Sequence, residues 1–265
     1  MGIIPIYTAL SVSSVMPEEV GHTKPWVVIV NANGSPTPYV AKLFSPEQVD
    51  NQFRVVKEVV GNLLASEFEL SVPSIALIDI PMDVALRQGT KQIIQFEESD
   101  PKFKFATLYV DGITARSTLP RDKFKKHVDI DTLYGFDNVI RNRDRGQVKP
   151  NLLFTKGKGY LIDHELCLDN NSISETDINN VILEDRFTKH HLCYSYLRKT
   201  RSDKKSSLFE DFEYFLENMS ITKLNPYLNQ LESEGYPMNR DTVTNWLQLI
   251  KGNSRIFVDK LKSSL

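Results

Sequence analysis

The chain has 265 residues, 41% of them hydrophobic and 25% charged, and a net charge of −2 from 32 basic and 34 acidic residues. This size allows one large domain or two lobes around a sizeable core. The charge balance produces no global field that would attract nucleic acid or an anionic membrane. Two cysteines, Cys167 and Cys193, lie far apart in sequence, which argues against a disulfide framework or a structural zinc site. With no signal peptide and no run of 18 apolar residues, we expect a cytoplasmic protein with no membrane association.

Strand patterns dominate the first part of the chain. Residues 4–12 and 25–44 read as strands, and the turn-forming "NANGSPTP" joins two strands within the second stretch. Between residues 47 and 68, valines and leucines recur at three- and four-residue steps, which predicts one amphipathic helix. The next stretch, "SVPSIALIDI", returns to strand, because a residue before proline disfavours helix.

The second part of the chain reads as helical. Residues 83–96 are a short helix or irregular, and residues 104–113 are a strand or connector that marks a lobe boundary. We therefore expect a β-rich N-lobe over residues 1–104 and a helical C-lobe over residues 105–265. The C-lobe helices are predicted over residues 174–199, 209–219 and 242–265, and Ser172 with Glu175 offers a capping box for the first. This layout predicts an α+β fold with two lobes and one long helix in the N-lobe.

A polar hairpin between these parts carries the chemistry. The apolar runs "NLLF" and "YLID" flank the turn "TKGKG", so antiparallel pairing would place Asn151 and Asp163 at the same open end. An amide oxygen and a carboxylate suit Mg²⁺. Asp144, seven residues before Asn151, could accept a proton from a hydroxyl. The alternative is a hairpin whose Asp and Asn serve only turn chemistry.

An aspartate in a loop, an asparagine before one strand and an aspartate after the next are the arrangement of a phosphotransferase. A lysine on a strand supports that interpretation, because a kinase needs a lysine near the nucleotide phosphates and a helix glutamate to hold it. "YVAKLF" places Lys42 among apolar neighbours, where an unpaired lysine is costly. The following helix offers two partners: Glu58, on the flank of its apolar stripe, and the rival Glu67, which helical geometry puts closer to that stripe. Taken alone, Lys42 would read as an edge-strand lysine facing water.

These motifs together resemble the bacterial HipA-like kinases, and in particular the compact branch that lacks the extra N-terminal subdomain. The likeness rests on "YVAKLF", "KEVVGNLLASEFELSVPS", "NRDRGQVKPNLLF" and "YLIDHE", with "HHLCYSYL" and "WLQLIKG" fitting the helical tail. Phosphoinositide kinases share a similar layout more distantly. The resemblance implies a protein-kinase-like fold that uses ATP and Mg²⁺. It also implies that Asp144 is the catalytic aspartate and that Asn142 and Arg145 shape its loop. Lys42 would bind the nucleotide phosphates with Glu58 as its ion-pair partner. Asn151 and Asp163 would be the metal ligands.

Three departures from the family pattern matter. Kinases place a metal-binding asparagine five residues after the catalytic aspartate, where this chain has Lys149. Glu165 stands where a glycine is more usual. No glycine-rich loop comes after the first strand, where the chain has a serine-rich connector. The resemblance to HipA-like kinases, which can be autophosphorylated on a serine of a flexible loop at this place, implies Ser11, Ser13 and Ser14 as hypothetical autophosphorylation sites.

The favoured function is ATP- and Mg²⁺-dependent phosphorylation of a protein serine or threonine, as a toxin component with a separate DNA-binding antitoxin-type partner. The alternatives are a small-molecule or lipid kinase, and a nucleotide-binding pseudokinase that acts as a partner-binding module.

Smaller signals receive structural interpretations. We expect one of His190 and His191 to face the core and the other to face water, because adjacent helical residues point about 100° apart. Cys167 reads as a small buried thiol, Trp246 as a helix-packing anchor, and the basic run over residues 198–205 as a solvated loop or helix end.

Overall fold

The structure is a computed structural model that describes residues 3–16, 24–116, 118–168, 189–200 and 207–265. The chain is a mixed α+β protein, as the sequence predicts. It forms two compact units. The first contains Met1–Val59, Pro73–Val110 and Asn225–Met238, and the second contains Val60–Val72, Asp111–Leu224 and Asn239–Leu265. The lobe boundary expected after residue 104 stays a prediction.

A closed β-barrel forms the first unit, with strand order β1-β2-β3-β5-β4. β1 and β4 pair in parallel, and the other neighbours are antiparallel. Apolar residues that alternate along the strands fill the interior, among them Trp26, Val28 and Val30 of β2. The strands are β1 Ile6–Val15, β2 Trp26–Ala32, β3 Ser35–Ala41, β4 Ile75–Asp79 and β5 Lys104–Leu108.

The turn between β2 and β3 confirms the predicted hairpin. Asn33 has a φ of 53° and Gly34 a φ of 84°. Two consecutive residues with positive φ are characteristic of the two-residue turn that matches the twist of paired strands, and Asn-Gly is its preferred sequence. The turn keeps β2 and β3 in full register from Trp26↔Ala41 to Ala32↔Ser35.

The serines predicted to lie in a connector belong to β1 instead. Ser11 pairs with Ile29 and Ser14 with Val27, and Ser13 lies at the register shift between Val12 and Ser14. All three serines are exposed. The strand extends further than the apolar pattern indicates because bulges let it continue past Val12. Residues 17–23 of the connector lie outside the described residues.

The helix predicted over residues 47–68 is two helices. α1 runs Pro46–Asp50 and begins with a capping box between Ser45 and Gln48, whereas α2 runs Arg54–Glu67. Phe53 separates them with a φ of 54°. A left-handed residue cannot continue a right-handed helix, so the single long helix is wrong.

Three further helices complete the barrel unit as the structure describes it. The stretch predicted as a short helix or irregular forms α3 Met82–Ala85 and α4 Thr90–Glu97. A later segment, Asn225–Ser233, also belongs here. Its Gln230 exchanges two hydrogen bonds with the backbone of Ile4, at 2.7 and 2.9 Å.

A small sheet and a group of helices form the second unit. The sheet has the order β6-β7-β8. Its strands are β6 Ile113–Thr114, β7 Leu152–Thr155 and β8 Lys158–Leu161. The described helices of this unit are α5 Arg121–Phe124, α6 Ile130–Val139, α7 Tyr194–Arg198, α8 Glu210–Asn218, a 3₁₀ turn at Ile221–Leu224, α10 Arg240–Gly252 and α11 Ser254–Ser263. The label α9 is given to Asn225–Ser233, which belongs to the barrel unit.

Aromatic contacts pack this unit. Phe68 and Phe212 stack with their ring centroids 5.6 Å apart. Gly135 of α6 allows that packing, because a Cβ there would lie 2.5 Å from the Phe212 ring. Trp246 is buried and donates through Nε1 to the carbonyl of Val139 at 2.8 Å. The interpretation of Trp246 as a packing anchor is therefore confirmed.

The predicted helix over residues 174–199 is described only in part, by α7, and its capping box at Ser172 lies outside the described residues. His191 is buried and His190 exposed, as predicted. Of the basic run, residues 201–205 fall outside the described part. Within the described ranges, no helix combines the length and apolar character needed to cross a membrane.

Candidate active site

The β7–β8 hairpin brings Asn151 and Asp163 to one end of the sheet. Leu152 pairs with Leu161, and the backbone N–H of Ile162 donates to the carbonyl of Asn151 at 3.1 Å. Asn151 and Asp163 both have left-handed backbones, with φ of 45° and 64°. Such conformations cost free energy for residues other than glycine and concentrate at functional sites. The predicted placement of both side chains at the open end is confirmed, whereas their role as ligands stays a prediction.

Asn142 fixes the loop that enters this hairpin. Its backbone N–H and its side-chain Nδ2 both donate to Asp137, to the carbonyl at 2.8 Å and to Oδ1 at 2.9 Å. Its Oδ1 accepts from the backbone N–H of Asp144 at 3.1 Å. Asn142 is buried, so it acts on the loop and not on a ligand. The arrangement holds the Asp144 backbone in one position.

Arg145 links three parts of the site through its guanidinium. Nε donates to Oδ2 of Asp137 at 2.6 Å, Nη1 donates to the carbonyl of Asn151, and Nη2 lies 3.3 Å from Nε2 of His164. Its side chain is 0% exposed. A guanidinium suits this task because its donors diverge in one rigid plane. Arg145 is therefore held by buried contacts and has no exposed side-chain surface, whereas its role in shaping a catalytic loop stays a prediction.

Asp137 and His191 are site residues that the sequence analysis missed. Nε2 of His191 lies 3.0 Å from Oδ2 of Asp137, and its Nδ1 accepts from the backbone N–H of Cys193 at 3.0 Å. Burial alone would raise the pKa of Asp137, but Arg145 and His191 together hold that pKa below its ordinary value. Asp137 is thus a buried carboxylate of α6 that binds Asn142 and Arg145 of the loop before β7.

Asp144 faces a network of polar groups at the open end of the hairpin. Its Oδ2 accepts from Nδ2 of Asn151 at 2.8 Å and from Nζ of Lys149 at 2.8 Å. Lys149 also lies 3.1 Å from Oδ2 of Asp163. Burial would lower the pKa of Lys149, but Asp163 and Asp144 outweigh it and raise that pKa. The two predicted catalytic and metal-binding aspartates are therefore brought together by one lysine.

The oxygen atoms near Asp163 fit a hard divalent cation. A carboxylate oxygen of Asp163 and one of Glu165 lie within 4.8 Å of each other. The side-chain Nδ2 of Asn151 donates to Asp144, so the side-chain Oδ1 of Asn151 is the atom that could face a metal. Mg²⁺ prefers such oxygen ligands and uses few of them from protein. Glu165, at a position where a glycine is more usual, thus adds a carboxylate to the possible metal ligands. Lys149 adds a positive charge that competes with a metal.

The predicted lysine–glutamate pair is present in the barrel unit. Lys42 comes directly after β3, and its Nζ makes an ion pair with Glu58 of α2, whose side chain is 2% exposed. The Lys42 ammonium also lies 5.7 Å from the centre of the Phe44 ring. The rival Glu67 binds Lys223 and the backbone of Ser220 instead. The partner of Lys42 is therefore Glu58, and its role at nucleotide phosphates stays a prediction.

Both cysteines are buried and neither forms a disulfide, as expected for a small buried thiol at Cys167. Burial raises the pKa of Cys193 well above its ordinary value. A thiol in that state is a poor nucleophile. Cys193 therefore does not support nucleophilic chemistry at this site.

The chain was compared with solved structures, curated proteins and protein-family models. The chain is similar to a Helicobacter pylori proinflammatory kinase, CtkA, whose crystal structure shares 14% sequence identity with it. That comparison covers 99% of this chain and 98% of that one, with a TM-score of 0.46. A search of curated proteins found no match. The family model for HipA-like kinases matches residues 15–222, which is most of the sequence. The chain therefore belongs to the HipA-like kinase family.

Proposed function

We propose that this protein is an ATP- and Mg²⁺-dependent serine/threonine kinase with a two-lobed kinase fold, in which Asp144 accepts the proton of the attacking hydroxyl. One observation carries the proposal: Asn142, Asp144, Arg145 and Asn151 form a hydrogen-bonded cluster, to which Lys149 joins Asp163. A phosphotransferase needs little covalent chemistry from the protein, and its catalysis comes mainly from positioning and charge. The buried contacts of Asn142 and Arg145 with Asp137 hold the loop that carries Asp144, which supports such positioning.

Each residue of the cluster has a separate task in this proposal. Asp144, with a side chain 23% exposed, is accessible to a substrate hydroxyl. Asn151 orients the Asp144 carboxylate through its amide group. Asp163 and Asn151 would hold Mg²⁺, which when bound offsets the charge of the phosphates. Lys42, held by Glu58, would bind phosphate oxygens of ATP.

The proposal is tested by incubating the purified protein with ATP and Mg²⁺ and following ATP turnover and intact mass. Asp144→Asn should lower turnover by about 10²–10⁴-fold, the usual contribution of a general base. Asp163→Asn should abolish the Mg²⁺-dependent part. The matched control is Asp111→Asn, which changes an exposed aspartate of the same unit and should leave turnover unchanged. An Asp144→Asn variant as active as the parent would contradict the proposed base.

A nucleotide-binding pseudokinase is the second candidate, and Lys149 favours it. Its ammonium binds the carboxylate of Asp144, where a proton acceptor must be accessible. ATP binding without turnover in the parent protein, under the same conditions, would select this candidate. The two outcomes are separated by measuring ATP affinity and ATP turnover on one preparation.

The proposed substrate rests on the family resemblance. A protein hydroxyl is the proposed acceptor, with a small molecule or lipid as the alternative, and a separate DNA-binding protein is the proposed partner. Phosphate incorporated into the chain itself can be mapped by peptide mass. Ser11, Ser13 and Ser14 are exposed on β1 and are the first positions to inspect.

A further inference from the structure

The Lys149 ammonium lies between two aspartates of the candidate active site. Nζ is 2.8 Å from Oδ2 of Asp144 and 3.1 Å from Oδ2 of Asp163. The lysine side chain is 40% exposed and the aspartates are 23% and 17% exposed. A single positive charge therefore bridges two carboxylates that the proposed function assigns to catalysis and to metal binding.

The backbone around Lys149 is built to place it there. The N–H of Gly146 donates to the carbonyl of Lys149 at 3.1 Å, which folds residues 146–149 into a tight loop. On the other side, Arg145 contacts the carbonyls of Pro150 and Asn151. Both flanks of Lys149 are therefore fixed by hydrogen bonds to the main chain, and only the lysine stem is left to move.

A lysine and a divalent cation compete for the same carboxylate oxygen. Mg²⁺ requires oxygen ligands at about 2.0–2.1 Å in a near-octahedral arrangement. An ammonium group that stays beside Oδ2 of Asp163 would repel a dication on that oxygen and supplies no ligand to it. The long, flexible lysine stem allows an exchange, because Lys149 can swing into solvent without movement of the loop.

We propose that Lys149 is an internal cation that occupies the metal position at Asp163, so that a divalent ion binds only by displacing it. The inference rests on the proposed function, which assigns the metal to Asn151 and Asp163. Residue 149 stands where other kinases have a metal-binding asparagine, so this chain has a positive charge in place of a ligand. Displacement by the metal also releases Asp144 from its ion pair, which couples metal binding to exposure of the proposed base.

The experiment measures binding of Mn²⁺, an oxygen-preferring substitute for Mg²⁺, by the electron paramagnetic resonance signal of the free ion. Titrations without nucleotide compare the parent protein with Lys149→Asn, Lys149→Ala and Lys149→Arg. Asn and Ala should strengthen binding by about three- to thirty-fold, the range expected from loss of two half-exposed ion pairs. Arg keeps the charge and should leave the affinity within about threefold of the parent.

Two further variants make the test specific. Lys158→Asn makes the same charge change at an exposed lysine of the same hairpin and should not alter Mn²⁺ affinity beyond a general charge effect. Asp163→Asn should remove the tight Mn²⁺ site from the Lys149→Asn background, which identifies the ligand. The Ala variant serves if Lys149→Asn fails to fold, as checked by thermal unfolding.

The outcomes separate this inference from the proposed function. ATP affinity is measured in parallel by calorimetry. If ATP binds but Lys149→Asn and Lys149→Ala bind Mn²⁺ no more tightly than the parent, the inference is wrong, and the kinase proposal is then decided by ATP turnover alone. If ATP does not bind but both variants gain Mn²⁺ affinity, the competition is correct and the kinase proposal is wrong.

Discussion

Arg145 donates through Nε to Oδ2 of Asp137 at 2.6 Å, and the side chains of both residues are sealed from water, at 0% and 1% exposure. A buried ion pair is costly to form, and removal of one partner leaves the other charge buried and uncompensated. Arg145 also contacts the backbone of Asn151 and the ring of His164, so the pair holds the geometry of the whole loop.

Arg145→Met should destabilise the protein by about 3–5 kcal/mol, because it leaves a buried carboxylate without its cation. The measurement is urea-induced unfolding followed by circular dichroism. Arg87→Met is the matched control, since the Arg87–Asp83 pair is 66% and 69% exposed and should contribute less than about 1 kcal/mol. A loss for Arg145→Met no larger than that for Arg87→Met would show that the buried pair does not hold the fold.

The stability that Asp137 confers should depend on pH in a defined direction. Its pKa in the folded protein is lower than in the unfolded chain, where an aspartate titrates at about 3.9. The folded state therefore binds fewer protons, so this contribution is complete above that pH and is lost as the pH falls through the folded pKa. The difference in urea midpoint between the parent and Asp137→Asn should stay constant from neutral pH to about pH 5 and shrink below about pH 4.

The control for this pH profile is Asp83→Asn, which changes an aspartate whose side chain is 69% exposed. Its difference from the parent should be small at every pH. If the difference in urea midpoint between the parent and Asp137→Asn grows as the pH falls, the pKa of Asp137 is raised on folding. Arg145 and His191 would then not control that pKa.

Gly61→Ala should destabilise the protein by about 1–3 kcal/mol, the usual cost of overpacking. A Cβ at residue 61 would lie 2.6 Å from Cβ of His164, so the helix and the segment after β8 would have to separate. The measurement is the free energy of unfolding. Gly252→Ala, also at a helical glycine, meets nothing within 4 Å and should stabilise by up to about 1 kcal/mol through helix propensity. Equal effects of the two substitutions would mean that His164 yields freely.

Lys42 and Glu58 should be energetically coupled. Lys42→Met leaves the charge of a carboxylate that is 2% exposed without its ammonium, and Glu58→Leu leaves the ammonium without its carboxylate. The double variant should lose less stability than the two single variants together, by about 1–3 kcal/mol. Lys223→Met breaks the ion pair between Lys223 and Glu67. Because this lysine is 67% exposed, the loss of stability should be less than about 1 kcal/mol. Additive losses in the cycle would rule out the coupling.

The parts of the structure that the sequence predicted are those that local chemistry determines. Lys156 and Gly157, with φ of 45° and 78°, form the turn that places β7 beside β8, and the same pattern at Asn33-Gly34 joins β2 to β3. Two-residue turns and alternating strands depend on residues that are adjacent in sequence. Asn151 and Asp163 could therefore be placed at one end of a hairpin from sequence alone.

The parts that were missed depend on residues far apart in sequence. Asp137 and His191 are 54 residues apart and meet only in the folded protein. The break at Phe53 escaped because apolar periodicity continues through it, and helical patterning does not report the backbone of a single residue. The sequence showed Lys149 at the position where kinases have a metal-binding asparagine. That its side chain contacts two carboxylates depends on the fold of residues 146–149.

The barrel unit is assembled from three stretches of chain, the last of which, Asn225–Met238, lies near the C-terminus. Gln230 binds the backbone of Ile4, and the Tyr236 hydroxyl donates to the carbonyl of Phe103 at 2.5 Å. A ribosome that has made only the first two stretches, which end at Val110, has therefore not yet produced everything this unit contains. Because domains generally fold as units during translation, we expect strands β1 to β5 to complete their unit only after Asn225–Met238 has emerged. Nascent chains that stop before Asn225 should expose these strands to proteases and chaperones.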